Sequence, residues 1–381
     1  MTEKVEKLRV VIAGGGTGGH VFPALKIAEG LKQKWQCEFL FFGTKRGLES
    51  KKVPERGYNL KTIPVAGFHR RFTIKNLTFP FKLLRSMQIC KKTLREFDPH
   101  LAIGSGGYVM GPVLKSAIGL GVPMVIQEQN NFPGVTTRLL AGKADIIFMG
   151  DPDARIYLNN AKKLVNSGNP ISFQKTKANK EDIFKEFGLN KTLKTILIFG
   201  GSQGAQNINR AIKQLIDQDA LPENSQLLWQ TGDFNFEEYD SFIEEKQIKN
   251  IVVRPFINEM NKAYAIADFA ICRAGAITIS ELMAAGLPAI LVPLTSAAGN
   301  HQYKNADGLQ QRQAVLMVED NESLSENLIK AIDRLITENN LRNQLAGNIH
   351  ALYKEDTMDI IINEIDGLLK DRYDFGFELR N

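Results

Sequence analysis

The run Val10-Val11-Ile12-Ala13-Gly14-Gly15-Gly16-Thr17-Gly18-Gly19-His20 opens on four apolar residues, gives way to glycines and then enters a segment of helical period. A strand, a glycine turn and a helix in that order form the first unit of a doubly wound α/β sheet. Glycines at the turn let the backbone bend tightly and approach a ligand. The helix N-terminus behind them offers unpaired N–H groups and about half a positive charge, which suits a phosphate. The device recurs at Ile196-Leu197-Ile198-Phe199-Gly200-Gly201-Ser202, so both halves of the chain begin alike.

Outward from these two runs, short β-branched stretches alternate with helical patterns. Strands are expected at 9–13, 37–43, 101–104, 123–127, 145–150 and 163–165, then at 195–200, 227–230, 251–256, 269–272, 289–294 and 314–318. Most are continuously apolar, as strands buried on both faces of a parallel sheet should be. The pattern predicts two doubly wound α/β domains. The turn cluster Asn166-Ser167-Gly168-Asn169-Pro170 sets a boundary, giving domains at 1–168 and 169–356. A helix over about 357–372, with Met358, Ile361, Ile362, Ile365, Leu368 and Leu369 at helical spacing, is able to pack back on the first.

A chain of 381 residues fits two or three domains at roughly 150 residues each. Its 43% hydrophobic and 24% charged residues are those of an ordinary globular protein. No apolar run approaches the ~18 residues of a membrane span, and the first residues lack the pattern of a signal peptide. Cys37, Cys90 and Cys272 show no metal-ligand spacing and read as reduced, buried thiols.

Gly14, Gly16 and Gly19 satisfy the G-x-G-x-x-G spacing of dinucleotide binders. That reading also needs an acidic residue ending the second strand to hold ribose. Here the strand ends Phe42-Gly43-Thr44-Lys45, with no carboxylate until Glu49. His20 lies where the helix dipole disfavours the imidazolium, leaving a neutral ring able to accept a proton. In the second half, Arg273-Ala274-Gly275 leads into Ala276-Ile277-Thr278-Ile279-Ser280-Glu281. Two readings stand there: Thr278 or Ser280 caps the helix in a box with Glu281, or the turn holds a diphosphate while Glu281 accepts from ribose hydroxyls. Asp151-Pro152-Asp153 and Asp217-Gln218-Asp219 resemble metal-holding triplets, but neither sits beside a glycine loop, and both read as loop or surface. No metal and no cofactor is expected.

Five motifs in order (Gly15–Pro23, Gly106–Pro112, Glu128–Asn130, Gly200–Ala205 and Arg273–Pro288) resemble the MurG family of peripheral glycosyltransferases, and the likeness runs from about 7 to 369. The resemblance implies a GT-B architecture, two Rossmann-like domains facing a cleft. It implies inverting transfer of GlcNAc from UDP-GlcNAc to the C4 hydroxyl of undecaprenyl-pyrophosphoryl-MurNAc-pentapeptide, lipid I. By motif position it puts donor contacts on Thr17, Gly18, Gly19, Asn130, Ser202, Ile257, Ala276, Ile277, Thr278, Ile279, Ser280, Glu281 and Gln302. Acceptor contacts fall on Gly106, Gly107 and Tyr108. One position departs: the family arginine two residues after Pro170 is Ser172 here, so one charged donor contact is missing.

With no convincing metal motif, backbone N–H groups and helix dipoles must carry the diphosphate charge. His20 is the expected general base and Glu128 a weaker alternative, with a hydrogen-bonded loop carboxylate as its plainer role. Another GT-B glycosyltransferase or a UDP-GlcNAc 2-epimerase on the same architecture, an NAD(P) enzyme and a non-catalytic nucleotide-sugar binder are the competing readings.

The chain's net charge of +6 is local. Between Phe68 and Phe97 stand eight basic residues and one acidic, which leaves the remainder near neutral at −1. Arg71, Lys75, Lys82 and Arg85 alternate there with Phe72, Ile74, Phe79, Phe81 and Leu84. One reading is a helix with a solvated basic face and a buried apolar face. An anionic lipid acceptor favours a patch that docks on the cytoplasmic face of the inner membrane, and no nucleic-acid partner is expected.

Overall fold

Apolar residues on successive positions of one strand bury opposite faces of a sheet. Val10 and Ile12 pack on one side and Val11 and Ala13 on the other, all fully buried. A strand covered twice in this way must be central, and the computed structural model places it so. The structure describes residues 3–4, 6–65, 79–201, 204–295 and 297–374. The chain divides into two compact units, 1–172 with 354–381, and 173–353.

In the first unit a short strand β1 (Glu3–Lys4) precedes β2 (Leu8–Gly14), α1 (Gly18–Lys34), β3 (Cys37–Gly43), α2 (Glu49–Glu55) and β4 (Asn59–Thr62). Then follow α3 (Phe79–Phe97), β5 (Leu101–Gly106), α4 (Met110–Ile118), β6 (Met124–Glu128), α5 (Val135–Leu140), β7 (Ile146–Met149) and β8 (Leu164–Asn166). The seven-stranded sheet is all parallel, in the order β4-β3-β2-β5-β6-β7-β8. The order reverses between β2 and β5, which makes their C-terminal ends the place for a ligand crevice. β4 escapes the sequence pattern: it is a half-exposed edge strand, Asn-Leu-Lys-Thr, with little apolar signal.

The second unit carries α6 (Lys180–Phe187), β9 (Lys194–Phe199), α7 (Gln206–Asp217), β10 (Ser225–Gln230), α8 (Phe236–Glu245), β11 (Ile251–Arg254), α9 (Met260–Ile266) and β12 (Phe269–Cys272). It continues with α10 (Ala276–Ala285), β13 (Ala289–Leu291), α11 (His301–Gln311), β14 (Leu316–Met317), α12 (Leu324–Thr337) and α13 (Asn339–Ala351). Its six parallel strands run β11-β10-β9-β12-β13-β14, with the reversal between β9 and β12. Ile196 and Ile198 fill one side of the sheet, Leu197 and Phe199 the other.

After the second unit the chain returns to the first. The helix α14 (Thr357–Lys370) sets Ile361, Ile362, Ile365 and Leu369 into the core beside α1. Gly30 of α1 gives it room, since a Cβ there would collide with Met358. Lys34 ties the two helices through Asp366 at 2.7 Å, and a strand β15 (Tyr373–Asp374) pairs with β1. Among the described residues, no helix is long and apolar enough to cross a membrane.

Candidate functional site

The first unit brings the β2 and β5 loops together around His20. Thr17 precedes α1 without a side-chain cap, so His20 stands in the first turn of a helix whose N-terminus faces the loop. Its Nδ1 lies 3.0 Å from the Gly15 carbonyl and 3.4 Å from Thr17 Oγ1. The glycines at 106 and 107 are required here. Both have positive φ, at +111° and +76°, and a Cβ on Gly106 would fall 2.8 Å from His20 Nε2. Ser105 Oγ also donates to the His20 carbonyl at 2.8 Å. Tyr108 is half exposed, with its hydroxyl beside the space over Gly16. Thr17, Gly18, Gly19, His20, Gly106, Gly107 and Tyr108 therefore lie together on the loops that follow β2 and β5 and at the start of α1.

Glu128 ends β6 and is buried. Its Oε1 accepts from the Asn130 N–H and Nδ2, both at 3.2 Å, and its Oε2 from the Gly134 N–H at 3.0 Å. This is the geometry of a carboxylate that shapes its own loop. Asn169, buried nearby, bonds Gln127 and the Gln129 carbonyl, which locks the turn after β8 against β6.

In the second unit the β9 loop turns on Gly201 and Gly204, both at positive φ, and a Cβ on Gly204 would strike the Thr231 carbonyl. Neither α7 nor α10 has a side-chain N-cap. The capping expectation at Thr278 and Ser280 is corrected. The helix starts earlier, at Ala276, so both residues lie inside it, and Ser280 Oγ donates back to the Ala276 carbonyl at 2.9 Å. Glu281 instead accepts from the Tyr264 hydroxyl at 2.9 Å. Burial pushes the Glu281 carboxyl above its ordinary value, and the tyrosine bond opposes that rise. Burial also pushes Tyr264 well up, and the Glu281 charge adds to it.

Several bonds hold the expected donor residues of this unit and their neighbours in place. Gln230 Nε2 donates to the Gly201 carbonyl at 3.1 Å while its Oε1 accepts from Ile257 N–H at 2.9 Å. Gln302 Oε1 takes the Leu294 N–H at 2.9 Å. Arg273 and Asp320 form a buried ion pair at 2.8 Å, and Asp320 also accepts from Asn207 of α7. Hence Ile257, Ala276 to Glu281 and the β9 loop lie around the switch point of one sheet.

Models of the glycosyltransferase family 28 N-terminal and C-terminal domains match residues 10–149 and 195–359. The UDP-N-acetylglucosamine–N-acetylmuramyl-(pentapeptide) pyrophosphoryl-undecaprenol N-acetylglucosamine transferase of Christiangramia forsetii is 38% identical over 96% of this chain and 99% of its own. The chain belongs to the MurG family. The crystal structure of Acinetobacter baumannii MurG has 27% identity and a TM-score of 0.75, covering 94% of this chain and 99% of that one. A UDP-GlcNAc 2-epimerase from Neisseria meningitidis shares the fold at a TM-score of 0.66 but only 12% identity, over 95% and 100% of the two chains.

Of the expected positions, Ser202 of the donor set and Arg71, Phe72, Ile74, Lys75 and the side chain of Phe79 in the basic and apolar patch lie outside the described residues. Along α3, Phe81, Lys82, Leu84 and Arg85 are exposed, while Ser86, Cys90 and Leu94 are buried. The two Asp-x-Asp triplets serve local structure: Asp151 caps the turn at 152–157, and Asp217 pairs with Lys246 at 2.8 Å. Cys90 and Cys272 are fully buried, and Cys37, expected buried, is only partly so. Burial pushes Cys37 and Cys90 each to about 12, so neither ionises readily. Two residues escaped the sequence reading, Glu49 and Gln230. Each is buried and bonds backbone groups distant along the chain.

Proposed function

We propose that this chain transfers GlcNAc from UDP-GlcNAc to the C4 hydroxyl of undecaprenyl-pyrophosphoryl-MurNAc-pentapeptide, with inversion, converting lipid I to lipid II in peptidoglycan synthesis. The observation that carries this reading is the near-full-length identity of 38% to a curated transferase of that name. The geometry supports it within each unit: glycine loops and uncapped helix N-termini at both switch points suit a diphosphate.

In this reading His20 Nε2 takes the proton of the acceptor hydroxyl as its oxygen attacks the anomeric carbon. The bond to UDP breaks, and its electron pair leaves on the diphosphate. N–H groups from the β9 loop and from Ala276 to Ser280 offset that charge. Glu281 accepts from the donor ribose, Gln302 meets the sugar hydroxyls, Ile257 meets uracil, and Gly106, Gly107 and Tyr108 face the acceptor. Asn130 adds a donor contact, and Glu128 serves as the loop carboxylate that orients it. The site lies at the cytoplasmic face of the inner membrane, where α3 docks the chain as a peripheral protein. Its product feeds cell-wall growth, and through it cell shape and division.

Incubation with labelled UDP-GlcNAc and a lipid I analogue tests the proposal. Label moving to the lipid only when acceptor is present supports transfer. Conversion of UDP-GlcNAc alone to UDP-ManNAc or its elimination products would instead make the chain an epimerase.

A further inference from the structure

The peptide unit joining Gly15 to Gly16 is held at both ends. Its carbonyl meets His20 Nδ1 at 3.0 Å, and its N–H donates to Glu49 Oε2 at 2.8 Å. A carbonyl oxygen only accepts, so Nδ1 carries the hydrogen and Nε2 is the basic nitrogen of the neutral ring.

Glu49 is fully buried at the start of α2. Its Oε1 accepts from the Thr44 N–H at 2.8 Å and the Thr44 hydroxyl at 2.9 Å. Three glycines make room for it. A Cβ on Gly15 would lie 2.6 Å from Oε1, and one on Gly43 or Gly47 would also collide with this side chain. A buried carboxylate is costly unless its lone pairs are bonded. Here the bonds come from neutral groups, and one of them is the amide that faces His20. Hydrogen bonds in a chain polarise one another. A charge at the N–H end of a peptide therefore makes its carbonyl a stronger acceptor.

We propose that Glu49 is a positioning residue for His20, acting through the Gly15–Gly16 peptide. The carboxylate fixes the Nδ1–H tautomer and steadies the imidazolium that forms when Nε2 takes the acceptor's proton. A carboxylate bonded directly to imidazole does the same work in hydrolase triads; here a peptide bond stands between them. The catalytic part rests on His20 being the base, whereas the tautomer part is independent of it.

The test uses the full chain labelled with ¹⁵N-histidine, with the His20 signals identified by their loss in His20→Gln. The wild type is expected to show the Nδ1–H form. In Glu49→Gln the amide NH₂ meets the Gly16 N–H, the Nδ1–H form loses its majority, and kcat falls about tenfold to a hundredfold, the usual range for such supporting partners. KM for UDP-GlcNAc changes less than kcat, since the donor contacts proposed in the second unit are untouched and only those proposed at Thr17 to Gly19 adjoin the Gly15–Gly16 peptide. Thr44→Val removes a bond to the same carboxylate but keeps the link to Gly16, so it lowers the unfolding temperature without changing the tautomer. Glu49→Asp, which keeps the charge but shortens its reach, shifts the tautomer in the same direction as Glu49→Gln and serves if the latter does not fold. An unchanged tautomer in the Glu49 variants, or an equal change in Thr44→Val, overturns the proposal. Near-normal kcat in His20→Ala would remove the base assignment alone and leave the tautomer result standing.

Discussion

His20 occupies a position that only glycine neighbours permit. With φ of +111° and +76° at Gly106 and Gly107, a Cβ on Gly106 would overlap the imidazole ring and one on Gly107 would strike the Gly15 carbonyl that His20 bonds. Replacing His20 with alanine removes the proposed base and leaves the donor contacts proposed in the second unit unchanged. We expect kcat to fall about 10²–10⁴-fold, the usual contribution of a general base, with UDP affinity unaltered by calorimetry. A variant that kept near-normal kcat would exclude His20 as base. The same residues show what the sequence makes legible. Glycine clusters after apolar runs announce themselves, because positive φ and close approach demand that residue type. Glu49 and Gln230 do not. Their partners are backbone groups of Gly16 and of Gly201 and Ile257, dozens of positions away, and a lone Glu or Gln carries no mark of such a bond.

Elements were legible in proportion to their burial. The expected strand at 37–43 matches β3, and the one at 269–272 matches β12, both with continuous apolar runs at their buried ends. The polar edge strand β4 left no periodic trace. The helix α14 shows how the last element holds its place. Burial pushes Asp366 up, but bonds from Lys34 and Lys370 outweigh it and keep the carboxyl below its ordinary value. A carboxyl that titrates lower when folded contributes fully above its unfolded value, near ~4, and loses that contribution as pH falls through the folded one. Asp366→Asn should therefore destabilise the chain at pH 7 by about 1 kcal/mol after solvent screening, or roughly 2 °C in a protein of this size. Thermal unfolding measured against pH would show the gap to wild type closing as pH falls below about 4. A gap that persisted at low pH would mean that Asp366 acts through packing instead.

At the scale of the whole molecule, the charge is informative because it is uneven. Residues 68–97 hold a surplus of seven in a chain whose total is +6. Their described part, α3, has a buried side at Ser86, Cys90 and Leu94 and an exposed start. Phe81 is 76% and Leu84 59% exposed, beside exposed Lys82 and Arg85. A protein that only needed a solvated helix face would gain nothing from exposing these two large apolar groups next to bases. An interfacial helix uses both, apolar groups in the acyl boundary and bases against anionic headgroups, at roughly 1 kcal/mol per base. Phe81→Ser with Leu84→Ser should thus weaken binding to phosphatidylglycerol vesicles by at least tenfold while UDP affinity holds. Wild-type binding should fall steeply between low and physiological salt, because screening acts on the headgroup attraction and not on apolar burial. The near-neutral remainder of the chain adds no general attraction, so loss of the patch should leave little residual binding. Vesicle binding that survived both the substitutions and the salt would show that α3 is not the docking element.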